Sequence, residues 1–273
     1  MNSYLSNPAF WSRFQFGFTL TYHYLFPQLT IGLAWLLVYW KRRALRTGDE
    51  QYNKAVRFWA EIFGLNFAVG VVTGIPMEFQ FGTNWASFTR YAGGVIGQTL
   101  AMEGMFAFFL ESAFVGALIW GEKRLGPRYH FLAALAVALG GWISGFFILV
   151  TNAFMQHPVG YRVEAHGLLG IASPRDYLLN PGALVQFSHN QMAALVTGSF
   201  VVTAMGAFYT LRGLHRNQAQ LYLRTGILVG LVTSVLVAVP TGDQQAKMVG
   251  RHQPVTLAAM EGKFPAEAWQ VPP

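Results

Sequence analysis

Apolar residues in this chain follow neither the two-residue alternation of a half-buried strand nor the narrow stripe of a soluble amphipathic helix; they run in long blocks divided by short basic stretches. Six blocks, near residues 14–39, 58–76, 95–120, 129–151, 183–211 and 222–240, approach or exceed the roughly 20 residues that carry a helix across a hydrocarbon core about 30 Å thick. Lipid offers backbone groups no partner outside the segment, so each block is predicted to be helical. The expected fold is an all-α membrane protein, a polytopic bundle of about six transmembrane helices. The bundle occupies residues 1–240, and the polar, proline-punctuated stretch 241–273 reads as a surface loop.

Several blocks carry polar side chains at membrane depth. The third, Gln98 to Trp120, contains Glu103 and Glu111, and an ionised carboxylate inside a bilayer is expensive. On a regular α-helix eight positions displace them by about 12 Å along the axis and about 80° around it, which suits two stations of a proton relay. The competing reading is two protonated carboxyls that bind neighbouring helices together. His23 lies in the first block and His189 in the fifth. From the block ends, His23 and Glu103 are each about 12–14 Å deep and can meet at one site, with His189 shallower and Glu111 deeper. Pro27 removes its own N–H and frees the carbonyl of His23, so a kink is expected there. Ser144 and Asn152 in the fourth block read as interhelical hydrogen-bonding groups.

Composition strengthens the membrane reading: 53% of the 273 residues are hydrophobic, 11% are charged and 23 are Phe. There is no cysteine, which excludes disulfides, thiolate metal sites and iron–sulfur clusters, so a metal or haem must be held by His, Met or carboxylate. Two histidines in separate helices, beside carboxylates and many aromatics, point to haem. The net charge of +7 would suggest nucleic acid in a soluble protein, but its carriers sit between the apolar blocks and no nucleic-acid partner is expected. Lys41, Arg42, Arg43, Arg46, Lys54, Arg57, Lys123, Arg124, Arg128, Arg212, Arg216 and Arg224 fall on one side, and the seven remaining basic residues fall on the other. The positive-inside rule therefore puts the N-terminus and the C-terminal tail outside the cytoplasm. The first block is too long for a secretory signal and lacks a basic n-region. In the tail, His252, Gln253 and Glu261 can hydrogen-bond an amphipathic ligand arriving from the membrane surface.

Particular motifs carry a family resemblance. They are Arg13-Phe-Gln-Phe, Tyr22-His-Tyr-Leu-Phe26, Met77 to Trp85 with its Glu-Phe-Gln-Phe-Gly-Thr-Asn-Trp, Ala101 to Gly116 with Phe-Phe-Leu-Glu-Ser, Ile148 to Pro158, Gln186 to Gly198 and Gln253 to Gly262. Together they resemble the large haem-bearing subunit, subunit I, of cytochrome bd-type quinol oxidases, over essentially the whole chain. The resemblance implies that His23 ligates a high-spin haem, with Glu103 and Arg13 in that cofactor's surroundings and Glu111 passing protons toward it from the cytoplasmic side. It implies that His189 is an axial ligand of the low-spin haem b, and that Glu261 belongs to the quinol site. It further implies a third haem, of d or b type, electron transfer from quinol to O2, a smaller second membrane subunit (subunit II), and a place in the lipid of the bacterial inner membrane.

Two departures qualify the match. The family's well-known member has a lysine five positions before the loop glutamate, where this chain has Thr256, so Arg251, His252 and Gln253 become the candidate quinol donors. Family members also continue through further spans, so the chain reads as the N-terminal portion of such a subunit, ending inside the quinol loop. By itself it is expected to insert without turning over quinol. The rival readings are a haem-free, proton-coupled transporter or channel subunit and an inactive fragment of the oxidase.

Overall fold

The computed structural model describes residues 6–263. Helix α1 runs Pro8–Thr47, α2 Glu50–Thr83, α3 Ala86–Met102, α4 Phe109–Trp120 and α5 Glu122–Gln156. A short antiparallel hairpin, β1 (Tyr161–Val163) and β2 (Leu169–Ile171), follows, and then come α6 (Pro174–Leu178), α7 (Pro181–Leu211), α8 (Arg216–Leu236), α9 (Gly242–His252) and α10 (Pro254–Met260). Two π-helical turns, Glu103–Phe108 and Val237–Thr241, join α3 to α4 and α8 to α9 without breaking the rod.

Local chemistry marks the helix starts. Asn7, Asp49 and Asn180 each accept a hydrogen bond from the backbone N–H two residues on, and Pro8 and Pro181 follow two of them at the first turn, where a missing N–H costs nothing. Gly48 ends α1 at φ 69°, the left-handed cap that only glycine takes without penalty.

All-α membrane architecture is as expected, with differences in detail. Five helical stretches are long and apolar enough to cross a membrane: Glu50–Thr83, Ala86–Trp120, Glu122–Gln156, Pro174–Leu211 and Arg216–His252. Helix α1 is long enough at 40 residues but is not among the five, because Tyr22, His23, Tyr24, Pro27 and Gln28 dilute its apolar run. The helices also outrun the apolar blocks at both ends. The largest difference is the tail: residues 241–252 continue the sixth long rod as helix, since the π turn absorbs Pro240 and Thr241 Oγ1 donates to the Leu236 carbonyl at 2.9 Å. The boundary read at Pro240 thus falls inside a helical rod, and residues 264–273 of the expected loop lie outside the described residues.

Helices in lipid gain little from hydrophobic contact with one another, so close approach through small residues matters more. At the α1–α7 crossing, a Cβ on Gly32 would lie 2.0 Å from the Ala194 carbonyl oxygen, and one on Gly198 would lie 2.8 Å from the Gly32 carbonyl carbon. At the end that holds the α1–α2 and α4–α5 connections, Trp40, Trp59, Phe63 and Tyr222 form a buried aromatic core. There the buried Lys41 ammonium donates to Glu122 at 2.7 Å and to Asn53 at 2.9 Å, and Arg57 also reaches Glu122, so the one deeply buried cation among the described residues is paired with a carboxylate. At the other end the hairpin packs on α3, with Leu169 buried and its carbonyl 2.4 Å from where a Cβ on Gly94 would stand. Thr99, Thr151 and Tyr177 share a buried hydroxyl cluster (2.6 and 2.7 Å) that ties α3, α5 and α6 together.

Gly32→Val is expected to destabilise the detergent-solubilised protein by about 3 kcal/mol through backbone overlap, read as a lower thermal unfolding midpoint. Gly17→Val, where an added Cβ meets nothing within 4 Å, serves as the control. Equal losses in both would show that α1 and α7 do not meet through glycine.

Candidate functional site

The two histidines sit on α1 and α7, which run in the same direction. Tyr24, next to His23, donates its hydroxyl to Asn190, next to His189, across a separation of 166 residues. Gly32 and Gly198 touch at the same offset. His23 and His189 share it too, so the parallel helices hold the two imidazoles at one level. This corrects the depth order expected from block ends, in which His189 was the shallower. Helix α1 simply begins farther out than α7 relative to this register, so distance from the start of an apolar block misreports depth.

Each imidazole is held in the same way. His23 Nδ1 lies 3.0 Å from Thr73 Oγ1, and that hydroxyl also lies 2.9 Å from the Val69 carbonyl and 3.0 Å from that of Gly70. A hydroxyl has one proton; given to its own helix backbone, it leaves the oxygen to accept Nδ1–H. His189 Nδ1 meets Thr241 Oγ1 at 3.3 Å, and Thr241 likewise donates to its backbone. Both rings are thereby set in the tautomer that leaves Nε2 with its lone pair. A glycine follows each threonine. A Cβ on Gly74 would stand 3.0 Å from His23 Cε1, and one on Gly242 would stand 3.8 Å from His189 Cε1 and 2.3 Å from the Val237 carbonyl. Thr-Gly also occurs at 47–48, 197–198 and 225–226, so the dipeptide at 73–74 and 241–242 does not by itself mark a histidine partner in the sequence.

Among the described residues no three His, Cys, Asp or Glu side chains converge as ligands for a bare metal ion. Each histidine offers one imidazole nitrogen, a donor set that suits iron arriving with four equatorial nitrogens of its own in a macrocycle. The residues present therefore fit haem.

The carboxylates are arranged differently from the regular-helix expectation. Glu103 opens the π turn of Glu103–Phe108. One extra residue in that turn rotates the following helix back by about 100°, which changes the offset to Glu111 from about 80° to about −20°. Both carboxylates accordingly face α5. Ser144 donates to Glu103 Oε1 at 2.6 Å, and Glu111 packs on Gly140 and Gly141, whose missing side chains leave it space: a Cβ on Gly140 would lie 2.9 Å from Glu111 Cβ, and one on Gly141 would lie 3.4 Å from Oε1. Glu78 of α2 and Glu111 are both within electrostatic range of Glu103, and Glu78 had not been singled out in the sequence. His23 and Glu103, expected at one site, have different partners, Thr73 and Gly74 of α2 for the first and Ser144 of α5 for the second. Asn152 donates to Gln186 at 2.7 Å, the interhelical role expected of it. Helix α1 continues through Pro27, and Asn66 donates to the neighbouring Phe26 carbonyl at 2.9 Å.

The four tail candidates separate into two groups. The His252 ring lies on the His157 ring at 3.9 Å between centroids, and Gln253 donates to the Gln156 carbonyl at 2.8 Å, so α5 and the α9–α10 turn meet at a small cleft that Gln186, Gln245 and Met248 complete. Arg251 is exposed beside it. Glu261 lies beyond the seven residues of α10, about 10 Å farther on, and pairs with Lys263 at 2.8 Å. Arg13 is exposed on α1, ten residues and about 15 Å before His23.

The cytochrome bd terminal oxidase subunit I family matches residues 11–272. The chain is 42% identical over 262 residues to the cytochrome bd-II ubiquinol oxidase subunit 1 of Escherichia coli strain K12, covering 96% of this chain and 51% of that one. It is 38% identical over 254 residues to the cytochrome bd ubiquinol oxidase subunit 1 of Bacillus subtilis strain 168, covering 92% and 53%. The solved structure of the bd oxidase from Geobacillus thermodenitrificans superposes with a TM-score of 0.87 at 30% identity, over 97% of this chain and 60% of that one. The chain thus spans about half the length of the curated relatives it matches. With that match over nearly all its residues, and with the helical bundle of a solved bd oxidase, this chain belongs to the cytochrome bd terminal oxidase subunit I family.

Proposed function

We propose that this chain supplies two axial histidines and a proton relay to a quinol:oxygen oxidoreductase of the bacterial inner membrane, His23 holding a high-spin haem and His189 the low-spin haem b. The observation that carries the reading is the repeated Thr–His arrangement, which leaves Nε2 of each ring available on helices fixed in register. When bound, haem supplies the one-electron chemistry, with a third group of d or b type at the oxygen end. Everything else is the work of side chains. Thr73 and Thr241 set tautomer and ring orientation. The Tyr24–Asn190 bond and the Gly32–Gly198 contact hold the two ligands at a fixed spacing.

Glu111 takes protons from the cytoplasmic end, where the basic connections gather, and passes them along the α5-facing side to Glu103, whose Oε1 Ser144 holds. The π turn supports this reading because it brings both carboxylates to one face. At the opposite, extracytoplasmic end, quinol meets His252, Gln253 and Arg251, with Glu261 reached across α10; His157, stacked on His252, joins this group. Arg13 lies on the same side. The bundle of residues 1–240 carries the haem ligands, and the segment from 241, helical to His252, begins the quinol-binding part. A smaller second membrane subunit and O2 complete the partners.

In the assembled oxidase, His189→Ala is expected to abolish the low-spin b signal in the reduced-minus-oxidised spectrum while high-spin haem is retained, and His23→Ala to lose a high-spin haem together with oxygen reduction. Retention of both signals would return these rings to the role of packed core residues.

Thr73→Val and Thr241→Val remove the Nδ1 acceptor with little change of shape. Each should weaken retention of its own haem by roughly 10-fold, within the 10–100-fold range of outer-shell partners. Haem loss at both sites from either variant would point to a folding defect instead.

Glu111→Gln should slow proton-coupled turnover by about 100-fold with haem content unchanged, as removal of a general acid–base group does. Glu103→Gln should disturb the haem spectrum as well. Small, equal effects in stopped-flow proton uptake would favour the role of interhelical hydrogen-bonding groups.

A further inference from the structure

Gln191, on α7 two residues beyond His189, is only 1% exposed, yet neither its amide oxygen nor its amide nitrogen has a hydrogen-bonding partner within the protein. A primary amide so placed in the middle of a membrane bundle is costly unless something else satisfies it. The surrounding side chains show what that is. A Cβ on Gly145 would lie 3.0 Å from Gln191 Nε2, and a Cβ on Gly141, one turn away on the same face of α5, would lie 3.4 Å from Glu111 Oε1. Positions four apart on a helix face are about 5–6 Å apart at Cβ, so the amide and the carboxyl flank one glycine-lined turn at a separation that one or two water molecules span. Ile31 of α1 closes the third side, its Cγ1 3.7 Å and its Cδ1 3.8 Å from those two Cβ positions.

Two more buried polar atoms on these helices lack protein partners, Gln28 Oε1, three residues before Ile31 on α1, and Trp142 Nε1, next to Gly141 on α5. Trp142 meets Phe187 edge-on, one turn before Gln191 on α7, and also packs on Trp35 of α1, which places its ring in the interior seam between α1, α5 and α7. Buried water collects where several polar groups converge and each is otherwise unsatisfied; a dry cavity is lined by apolar side chains.

We propose that this seam is a bound-water site, anchored by the Gln191 amide and reaching the Glu111 carboxyl, and that Gln191 is a positioning residue for the proton held there. The inference rests on the relay reading of Glu111 and extends it toward α7, the helix of His189. The amide oxygen accepts up to two hydrogen bonds and the amide nitrogen donates two; the group therefore orients water without itself exchanging the transported proton. Ser144, between Gly141 and Gly145 in sequence and bonded to Glu103, gives the same stretch of α5 its connection to the second carboxylate.

The test is made in the assembled, haem-loaded oxidase. Gln191→Leu, close in size but unable to hydrogen-bond, is expected to remove an H2(18)O-sensitive O–H stretching band from the redox difference infrared spectrum and to slow the proton-uptake phase about tenfold. Gln191→Asn, with room for a further water, should restore both. Gly145→Ala, which sets a methyl 3.0 Å from Nε2, should act like Gln191→Leu and carries the test should the leucine variant fail to assemble. A wild-type enzyme with no such band, or a band and an uptake rate unchanged in both variants, overturns the proposal. If Glu111→Gln leaves uptake unaltered while Gln191→Leu still abolishes the band, the relay reading fails, and with it the positioning role of Gln191, leaving the seam as a water site alone.

Discussion

The arrangement depends on the contact between two glycines. Gly32 and Gly198 let α1 and α7 approach until backbone meets backbone, and such an approach admits one register only, because a helix shifted by a residue would bring side chains into the gap. With that register fixed, Tyr24 finds Asn190, and the two histidines come to the same level. The carboxylate side depends on the same principle applied to α5, where Gly140 and Gly141 receive Glu111 and Gly145 receives Gln191. Glycine in this bundle therefore selects which polar side chains can face one another.

Two interruptions of regular helix serve the same end. The π turn at Glu103–Phe108 rotates Glu111 onto the face that Glu103 already occupies, and the turn at Val237–Thr241 presents Thr241 and Gly242 to His189. Each shifts the phase of everything after it by about a quarter-turn or slightly more. A regular helix in either place would direct one member of a working pair elsewhere.

These facts explain what the sequence did and did not disclose. The number of long helices, the membrane character and the identity of His23, His189, Glu103 and Glu111 as unusual residues were legible, because each rests on an apolar block or on a polar exception within it. The helical continuation through Pro240 was not, since proline and a polar composition ordinarily end a helix and the π turn that absorbs Pro240 has no signature in a single sequence. Rotation between Glu103 and Glu111 was missed for the same reason. Depths judged from block ends erred because α1 starts at Pro8, well before His23, whereas α7 starts at Pro181, close before His189. The short hairpin at 161–171 was hidden because each strand is only three residues long, too short to show an alternating pattern. Thr73-Gly74 and Thr241-Gly242 are two of five Thr-Gly pairs in the chain, and nothing in the sequence alone sets these two apart or pairs either with a histidine 50 or 52 residues away.

Equal level for His23 and His189 has an electrical consequence. A charge carried across the full membrane potential exchanges about 2.3 kcal/mol per 100 mV, but only displacement along the membrane normal counts. On the proposed reading, electron transfer between centres held by these two rings runs in the plane of the bilayer and so does almost no work against the field. On that reading the voltage is felt instead by the proton passing from Glu111 toward Glu103, and the speed of internal electron transfer is expected to be indifferent to the potential across the membrane.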